Sequence, residues 1–329
     1  MPSRRSLATF ALLALSLAPT ASAGQQKLTL TLDWTPNPDH IGFYDAQSTG
    51  LFTQAGLDVT IRAPSDPTAP LKLVAAGQSD LAVSYEQELF FAAARKLPVV
   101  AIAAVVPQPL NSIIAIEPRI HSLADLKGRT VGITGVPSDY AALDTALASV
   151  RLTRRDVHVV SVGYNLLPAL LAHRVDAVIG VYRNVEGIQL QQRGLKPTII
   201  PLDHAGIPTY DELVLVANAD RIRTNAGYRS AVRRFVGAFL AGTADARQHP
   251  QQALAILEKV TASGRQFLAR ATPATLALLA GRDGIGCMHP SQWQAFGNWM
   301  HTRSLLTHPI PAAAVMSTRF LPHRCTTPG

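Results

Sequence analysis

The sequence predicts an α/β fold built from two blocks of similar size. Short apolar segments of strand length alternate with segments of helical periodicity along most of the chain. This alternation is typical of largely parallel sheets that are covered by helices. The strand–helix order restarts after Val106, which indicates a second block rather than one continuous sheet.

The first block begins with a strand at 28–32. Its further strands are expected at 57–61, 81–84 and 98–106, and its helices at 39–50, 70–76 and 86–96. Gly50 and Gly77 each stand where a helix is expected to end, since glycine readily takes the left-handed conformation that follows a helix. The first block therefore ends with the long apolar strand that reaches Val106.

The second block repeats the alternation. We expect strands at 112–116, 129–133, 157–162, 177–181 and 198–201, and helices at 122–126, 138–149, 166–173 and 184–193. Ser138 is the expected cap of the helix at 138–149, with Pro137 just before it. One more strand at 212–217 precedes a tail that is expected to be helical almost throughout after Asp220.

The late strand predicts two lobes that interleave. The first lobe would take residues 24–106 and the returning segment 212–329, and the second lobe would take residues 107–211. Two crossings between lobes make a hinge, and proteins of this kind bind a ligand in the cleft and close by domain rotation. We therefore expect a ligand cleft between the lobes.

The N-terminal residues 1–23 have the pattern of a signal peptide. Arg4 and Arg5 precede an apolar run at 7–17, and small residues at 21–23 form a cleavage pattern. The net charge falls by two, from +8 to +6, when both arginines are removed, and the remaining basic residues are scattered rather than grouped with aromatics. We therefore expect a periplasmic or secreted protein that is monomeric, binds no nucleic acid and is not inserted in a membrane.

The chain has two cysteines, Cys287 and Cys325. In an oxidising compartment an isolated pair favours a disulfide over a metal site or a nucleophile. The histidines show no metal-ligand spacing, so we expect no metal. The sequence also lacks the G-x-S-x-G, Walker and G-x-G-x-x-G motifs, and its carboxylates form no evident acid–base pair, so we expect neither catalytic residues nor a cofactor.

Unusual residues stand where the strands of the first block end. The carboxyl ends of strands in open α/β sheets face the ligand crevice. The segment 33–40 follows the first strand and offers Trp34, Asn37 and His40, and the segment 84–88 follows the third strand and offers Tyr85 and Glu88. An exposed Trp34 could stack on a planar ligand, whereas the alternative is that it packs in the lobe core.

The second block offers a matching set. Asn111 opens its first strand, and Ser138 stands at a helix start where free N–H groups can take an anion, although serine is also a routine helix cap. Tyr182, Asn184 and Glu186 follow the strand at 177–181. Glu186 could pair with an amino group and a protonated ring nitrogen together, and the alternative is a carboxylate that favours the helix dipole.

These motifs together resemble a known family. The segments 33–40, 77–88, 109–113 and 167–187 are similar to those of the thiamine-precursor (pyrimidine) solute-binding proteins of ABC importers and of the related yeast-type pyrimidine synthase. The resemblance spans about 28–246. It implies a type II periplasmic-binding-protein fold, a cleft for a 4-aminopyrimidine, and permease and ATPase partners. The positions that it assigns to ligand contact are Trp34, Asn37, Tyr85, Tyr182 and Glu186.

The chain departs from the family pattern at Pro38-Asp39, at Arg183 and at Asp139-Tyr140. Arg183 adds a cation near the expected cleft, and with the helix at Ser138 it keeps open a binding protein for a sulfonate or another anion. The other alternative is a synthase that uses pyridoxal phosphate with His40 as a reactant. The export signal, and the lack of any cysteine before Cys287, argue against the synthase.

Overall fold

The computed structural model describes residues 24–281, 283–322 and 325, so the predicted signal peptide at 1–23 lies outside the described residues. In this part of the chain no helix is long and apolar enough to cross a membrane. The strands are β1 (Gln26–Thr31), β2 (Leu57–Arg62), β3 (Leu81–Ser84), β4 (Val99–Val106), β5 (Asn111–Ala115), β6 (Thr130–Ile133), β7 (His158–Ser161), β8 (Ala177–Tyr182), β9 (Thr198–Pro201), β10 (Leu213–Asn218), β11 (Ala280–Gly281) and β12 (Gly284–Ile285).

Helices follow most of these strands. They are α1 (Ile41–Ser48), α2 (Leu51–Gln54), α3 (Ala69–Ala75), α4 (Glu86–Ala94), α5 (Pro137–Ser149), α6 (Leu166–Leu171), α7 (Glu186–Gln192), α8 (Ala219–Thr224), α9 (Ala226–Gln248), α10 (Pro250–Val260), α11 (Arg265–Leu276) and α12 (Pro290–Thr302). Short 3₁₀ turns lie at Pro38–His40, Leu123–Leu126, Arg154–Asp156, Gly163–Asn165, Leu202–His204, Ala312–Ala314 and Thr318–Phe320.

The strands form two large sheets with the same topology. The sheet of the first lobe has the order β2-β1-β3-β10-β4, and that of the second lobe has the order β7-β6-β8-β5-β9. Four strands of each sheet run in one direction, as the sequence predicts. The fifth strand, β10 in one sheet and β5 in the other, runs antiparallel to both of its neighbours.

The reversed strands follow from the crossings between the lobes. β5 is the first strand after the chain enters the second lobe, and β10 is the first after it returns. Both crossings arrive at the edge where the parallel strands end, so each new strand must run back from that edge. The pattern of apolar residues gives the position of these strands but not their direction.

The C-terminal tail departs from the prediction of a nearly continuous helical region. After α12 it is mostly irregular and runs beside β4, where Ala101 N–H donates to Val315 O and Ser317 N–H donates to Ala101 O, each at 2.8 Å. This segment covers the edge of the first sheet, whose backbone groups would otherwise be unpaired. Cys287 and Cys325 form a disulfide with Cα atoms 5.5 Å apart, and a cross-link of this span stabilises a fold by about 4 kcal/mol in the chain-entropy model.

Helices α1 and α9 pack closely at Gly42 and Gly242. A Cβ atom at Gly242 of α9 would lie 2.5 Å from Gly42 O and 2.6 Å from Ala46 N of α1. The backbones of α1 and α9 therefore approach too closely for a larger residue at this position. Because α1 continues directly from segment 33–40, this contact anchors that segment to the first lobe.

Candidate ligand-binding cleft

Of the cavities that the described residues form between the lobes, two are lined by residues that the sequence predicts as ligand contacts. The inner cavity, of about 30 Å³, is lined by Tyr85, Gln87, Asn111, Thr134, Val136, Ser138, Asp139, Ala142, Gly180, Tyr182, Leu202 and Glu212. The outer cavity, of about 270 Å³, is lined by Trp34, Thr35, Pro36, Asn37, Tyr164, Leu166, Leu167, Pro168, Val185, Glu186, Gln189, Ser263 and Phe267. Seven of the ten predicted contact residues line these cavities, and His40, Glu88 and Asn184 do not.

A larger groove, of about 750 Å³, lies outside the cleft. It is lined by Val100 at the start of β4, by Arg229 and Arg233 of α9, and by Arg319 near the C-terminus. The start of β4 is the end of the first sheet that points away from the cleft, so none of the predicted contact residues borders this groove.

Aromatic side chains from both lobes meet in the outer cavity. The rings of Trp34 and Tyr164 are 4.4 Å apart between centroids, with an angle of 82° between their planes. Trp34 follows β1 and Tyr164 lies beyond β7 in the other lobe. Trp34 is half-buried and packs against a buried apolar cluster of the second lobe. Because Trp34 also lines the outer cavity, its indole can contact a planar ligand there, and stacking is worth about 0.5–1.5 kcal/mol beyond area burial.

His40 supports the cleft from behind. It is fully buried, and its Nδ1 accepts the Asn37 N–H at 3.3 Å. Nε2 therefore carries the proton and donates to Asp33 Oδ1 at 2.8 Å, while Tyr85 Oη donates to Asp33 Oδ2 at 3.1 Å. The predicted ligand contact of His40 thus has no support in its position, because both ring nitrogens are occupied and the ring holds Asp33 and Tyr85 in place.

Glu186 is the first residue of α7 and lines the outer cavity. Its Oε2 accepts the Tyr182 N–H at 2.8 Å. Burial raises the pKa of Glu186 to about 7, opposed by that backbone hydrogen bond. The expected helix at 184–193 begins two residues late, because Asn184 is used in a contact with the other lobe.

Asn184 bridges the lobes instead of lining a cavity. Its Nδ2 donates to Asp39 Oδ1 at 2.7 Å and to Thr275 Oγ1 at 2.9 Å, both in the first lobe. Asp39 is one of the departures from the family pattern. Sequence alone could not predict this contact, because its partners are 145 and 91 residues away from Asn184 along the chain.

Glu212 joins the two crossings and is a cavity residue that sequence analysis did not select. Its Oε2 accepts the N–H groups of Leu110 and Asn111 at 2.6 and 2.7 Å. Tyr210 Oη donates to the same oxygen at 3.0 Å. The only sequence signal was an acidic pair before a strand, which is common in turns.

A second buried network supports the returning crossing. Asp211 N–H donates to Glu86 Oε2 at 2.7 Å, and Trp293 Nε1–H of α12 donates to Asp211 Oδ2 at 2.7 Å. Burial raises the pKa of Asp211 to about 7 and that of Glu86 well above its usual range. The C-terminal helix therefore fixes the hinge as well as the first lobe.

The cleft is acidic. Burial raises the pKa values of Asp139 and Glu212 to about 7, as it does for Glu186. Among the described residues that line the two cavities, none is a lysine, an arginine or a histidine. Arg183 is not in either cavity, because its Nη1 donates to Pro109 O at 2.6 Å beside the first crossing. The guanidinium of Arg183, which the sequence placed near the expected cleft, therefore makes its hydrogen bond at the hinge.

The chain is similar to proteins of known name. A family model described as NMT1/THI5 like matches residues 37–253. A Haemophilus influenzae protein named for thiamine biosynthesis is 39% identical over 236 residues, covering 70% of this chain and 73% of that protein. The formylaminopyrimidine-binding protein of Halalkalibacterium halodurans is 31% identical over 301 residues, covering 89% of this chain and 90% of that protein.

The solved structures support the architecture. The ligand-binding component of an ABC-type import system from Staphylococcus aureus superposes with a TM-score of 0.71 at 14% identity, covering 90% of this chain and 98% of that one. At this identity the likeness shows the fold alone. Together with the two mixed sheets, it confirms the predicted type II periplasmic-binding-protein fold.

Proposed function

Because the chain belongs to the NMT1/THI5-like family, we propose that it is an extracytoplasmic solute-binding protein that captures a 4-aminopyrimidine of the thiamine-precursor type. It would act as a monomer and deliver the ligand to the permease and ATPase of an ABC importer. One observation carries the ligand assignment. Glu186 lines the outer cavity together with the half-buried Trp34, and no cation lines either cavity among the described residues.

The chemistry of the outer cavity fits a small aminated ring. A protonated aminopyrimidine presents a ring N–H and an exocyclic amine side by side, and a carboxylate accepts both in charge-assisted hydrogen bonds. Trp34 and Tyr164 provide aromatic surface for the ring. The volume of about 270 Å³ is at the small end of ligand pockets, which favours a single heterocycle over a three-ring flavin.

The anion-binding alternative finds less support. A sulfonate site requires cationic or N–H donors, and Arg183 donates to Pro109 O outside the cavities. The ionised forms of Asp139 and Glu212, which line the inner cavity, would repel an anion.

The synthase alternative finds less support as well. His40, its expected reactant, is fully buried and bonded to Asp33, and no cysteine precedes Cys287. We therefore propose a binding protein rather than an enzyme.

A thermal-shift panel tests the ligand class. The mature protein would be heated with aminopyrimidines, riboflavin, alkanesulfonates and pyridoxal phosphate in turn. A ligand that binds only the folded state raises the melting temperature in proportion to its affinity. We expect a shift with 4-amino-5-hydroxymethyl-2-methylpyrimidine or its formylamino analogue. A shift with sulfonates alone would overturn the proposal.

Glu186→Gln tests the carboxylate directly. The amide keeps the size but presents a donor to one of the ligand's two donors, and hydrogen bonds to charged groups are worth about 1.5–3 kcal/mol. We expect the Kd for the aminopyrimidine to rise at least about 30-fold in titration calorimetry.

Glu117→Gln is the matched control, because Glu117 lies after β5 and lines neither cavity. If Glu186→Gln binds the aminopyrimidine as tightly as this control, Glu186 does not contact the ligand and serves only as a favourable charge at the start of α7.

A further inference from the structure

Helix α5 begins without a cap of its own. Its N-cap residue is Val136, whose side chain makes no capping hydrogen bond, and Pro137 at the first helical position has no N–H. The predicted serine cap is therefore wrong, because Ser138 lies inside the first turn. Ser138 N–H is left as a donor at the helix end where the dipole is positive.

The missing cap comes from the other lobe. Glu88 lies in the first turn of α4, and its Oε1 accepts the Ser138 N–H at 2.8 Å. Glu88 and Ser138 are 50 residues apart along the chain and belong to different lobes. The helix end is thus filled by a carboxylate that reaches across the cleft.

This helix end borders the inner cavity. Ser138 lines it, as do Thr134 and Asp139. Asp139 is turned toward Thr134, whose N–H donates to its Oδ2 at 2.8 Å, so Asp139 does not compete for Ser138 N–H. A free N–H at a helix end, in an enclosed cavity, is where an anionic ligand would be bound. Glu88 occupies that position.

We propose that Glu88 is a specificity-determining residue, a tethered carboxylate that fills the N-terminal end of α5 when the lobes are closed and so excludes anionic ligands. The same hydrogen bond holds the closed lobes together. This inference rests on the proposed function only in taking the cleft as the ligand site. It explains how a fold with a helix end exposed to its cleft can favour an uncharged or cationic ligand.

Two substitutions separate the roles of charge and contact. Glu88→Gln keeps a carbonyl oxygen that can accept the Ser138 N–H but removes the negative charge. Glu88→Ala removes the contact and vacates the space of the carboxylate. It also leaves the part-buried Ser138 N–H without its acceptor, which an incoming anion can replace.

The first readout uses sulfate and methanesulfonate, with no pyrimidine present. Titrations would be made at constant ionic strength and about pH 6, where the carboxyl groups of Asp139 and Glu212, with pKa values near 7, are mostly protonated. We expect Glu88→Ala to bind sulfate at least about tenfold more tightly than the parent. Glu88→Gln should gain less, because its amide still occupies the helix end, and Glu117→Gln should match the parent.

The second readout is affinity for whichever ligand the thermal-shift panel identifies. Glu88→Ala should weaken it by about tenfold through loss of the bond between lobes, whereas Glu88→Gln should stay within about threefold of the parent. Glu88→Ala that gains no sulfate affinity while circular dichroism shows it folded would overturn the proposal. Since the sulfate measurement needs no pyrimidine, failure of the ligand assignment would leave it intact.

Discussion

Asp39 is an unusual residue for a contact between lobes. It is buried, its Oδ1 accepts from Asn184, and its Oδ2 has no hydrogen-bond partner among the described residues. Asn184 Oδ1 is likewise buried without a partner there. Burial raises the pKa of Asp39 from 3.8 to about 6, opposed by the Asn184 hydrogen bond.

The raised pKa of Asp39 makes its contribution to stability depend on pH. The folded state holds the proton more tightly than the unfolded chain, so the contribution is fully present below about pH 4 and is lost as pH rises through about 6. A shift of about two units corresponds to about 3 kcal/mol. At pH 7.5 the free energy of unfolding of Asp39→Asn should therefore exceed that of the parent by about 2–3 kcal/mol, so the variant is the more stable protein. Near pH 4 this difference should vanish.

Urea denaturation across this pH range measures the effect. Asp58→Asn removes the same charge from an exposed position of β2 and should follow the parent at every pH. A constant difference between Asp39→Asn and the parent from pH 4 to 7.5 would contradict a buried, titrating carboxyl.

The part of the candidate site that could be predicted from the sequence is the set of residues that directly follow apolar strands. Trp34, Tyr85 and Glu186 follow apolar strands, and the edge where strands end faces the crevice. Tyr164 also follows an apolar strand, the one expected at 157–162, so the same signal could have found it, but the residue was not selected. His40 was expected to contact the ligand, and the pattern does not reveal that its buried ring is engaged by Asp33 and Asn37.

At the scale of elements, the two crossings depend on one carboxylate. Glu212 stands just before β10 and accepts from the N–H groups that open β5, so one side chain holds both connections between the lobes. From the strand pattern, we expect the crossings at about residues 106–107 and 211–212. The pattern could not show that they touch, because the contact spans about 100 residues of sequence.

Glu212→Ala should destabilise the protein substantially. It leaves the N–H groups of Leu110 and Asn111 without their acceptor, and each buried unpaired donor costs about 1–3 kcal/mol. We expect the free energy of unfolding to fall by at least about 2 kcal/mol. Glu212→Gln should lose less than half of this, since its carbonyl oxygen still accepts.

Urea denaturation at pH 7.5 is the measurement, with Glu117→Ala as the control for loss of an acidic side chain away from the hinge. A Glu212→Ala protein as stable as that control would show that the crossings do not depend on this carboxylate.

At the scale of the whole molecule, the described arrangement is a closed one. Glu88 meets Ser138, Asp39 meets Asn184 and Trp34 meets Tyr164, and each pair joins one lobe to the other. The inner cavity of about 30 Å³ has room for little more than a water molecule. A ligand that reaches Tyr182 or Asn111 must therefore enter while the lobes are apart.

These contacts predict how the shape of the protein responds to ligand. Two of these pairs contain carboxylates, Asp39 and Glu88, whose pKa values are raised by desolvation, so their ionised forms weaken the closed state when no ligand compensates. A ligand bound to Glu186 and Trp34 adds contacts that exist only when the lobes are closed, and so shifts the population toward that state.

In solution scattering at pH 7.5, the ligand-free protein should have the larger radius of gyration, and saturation with the ligand should lower it. Glu88→Ala should show a larger radius than Glu88→Gln without ligand, because only the amide keeps the bond to Ser138. An unchanged profile, with binding demonstrated by calorimetry in the same sample, would mean that the ligand enters a cleft that does not open.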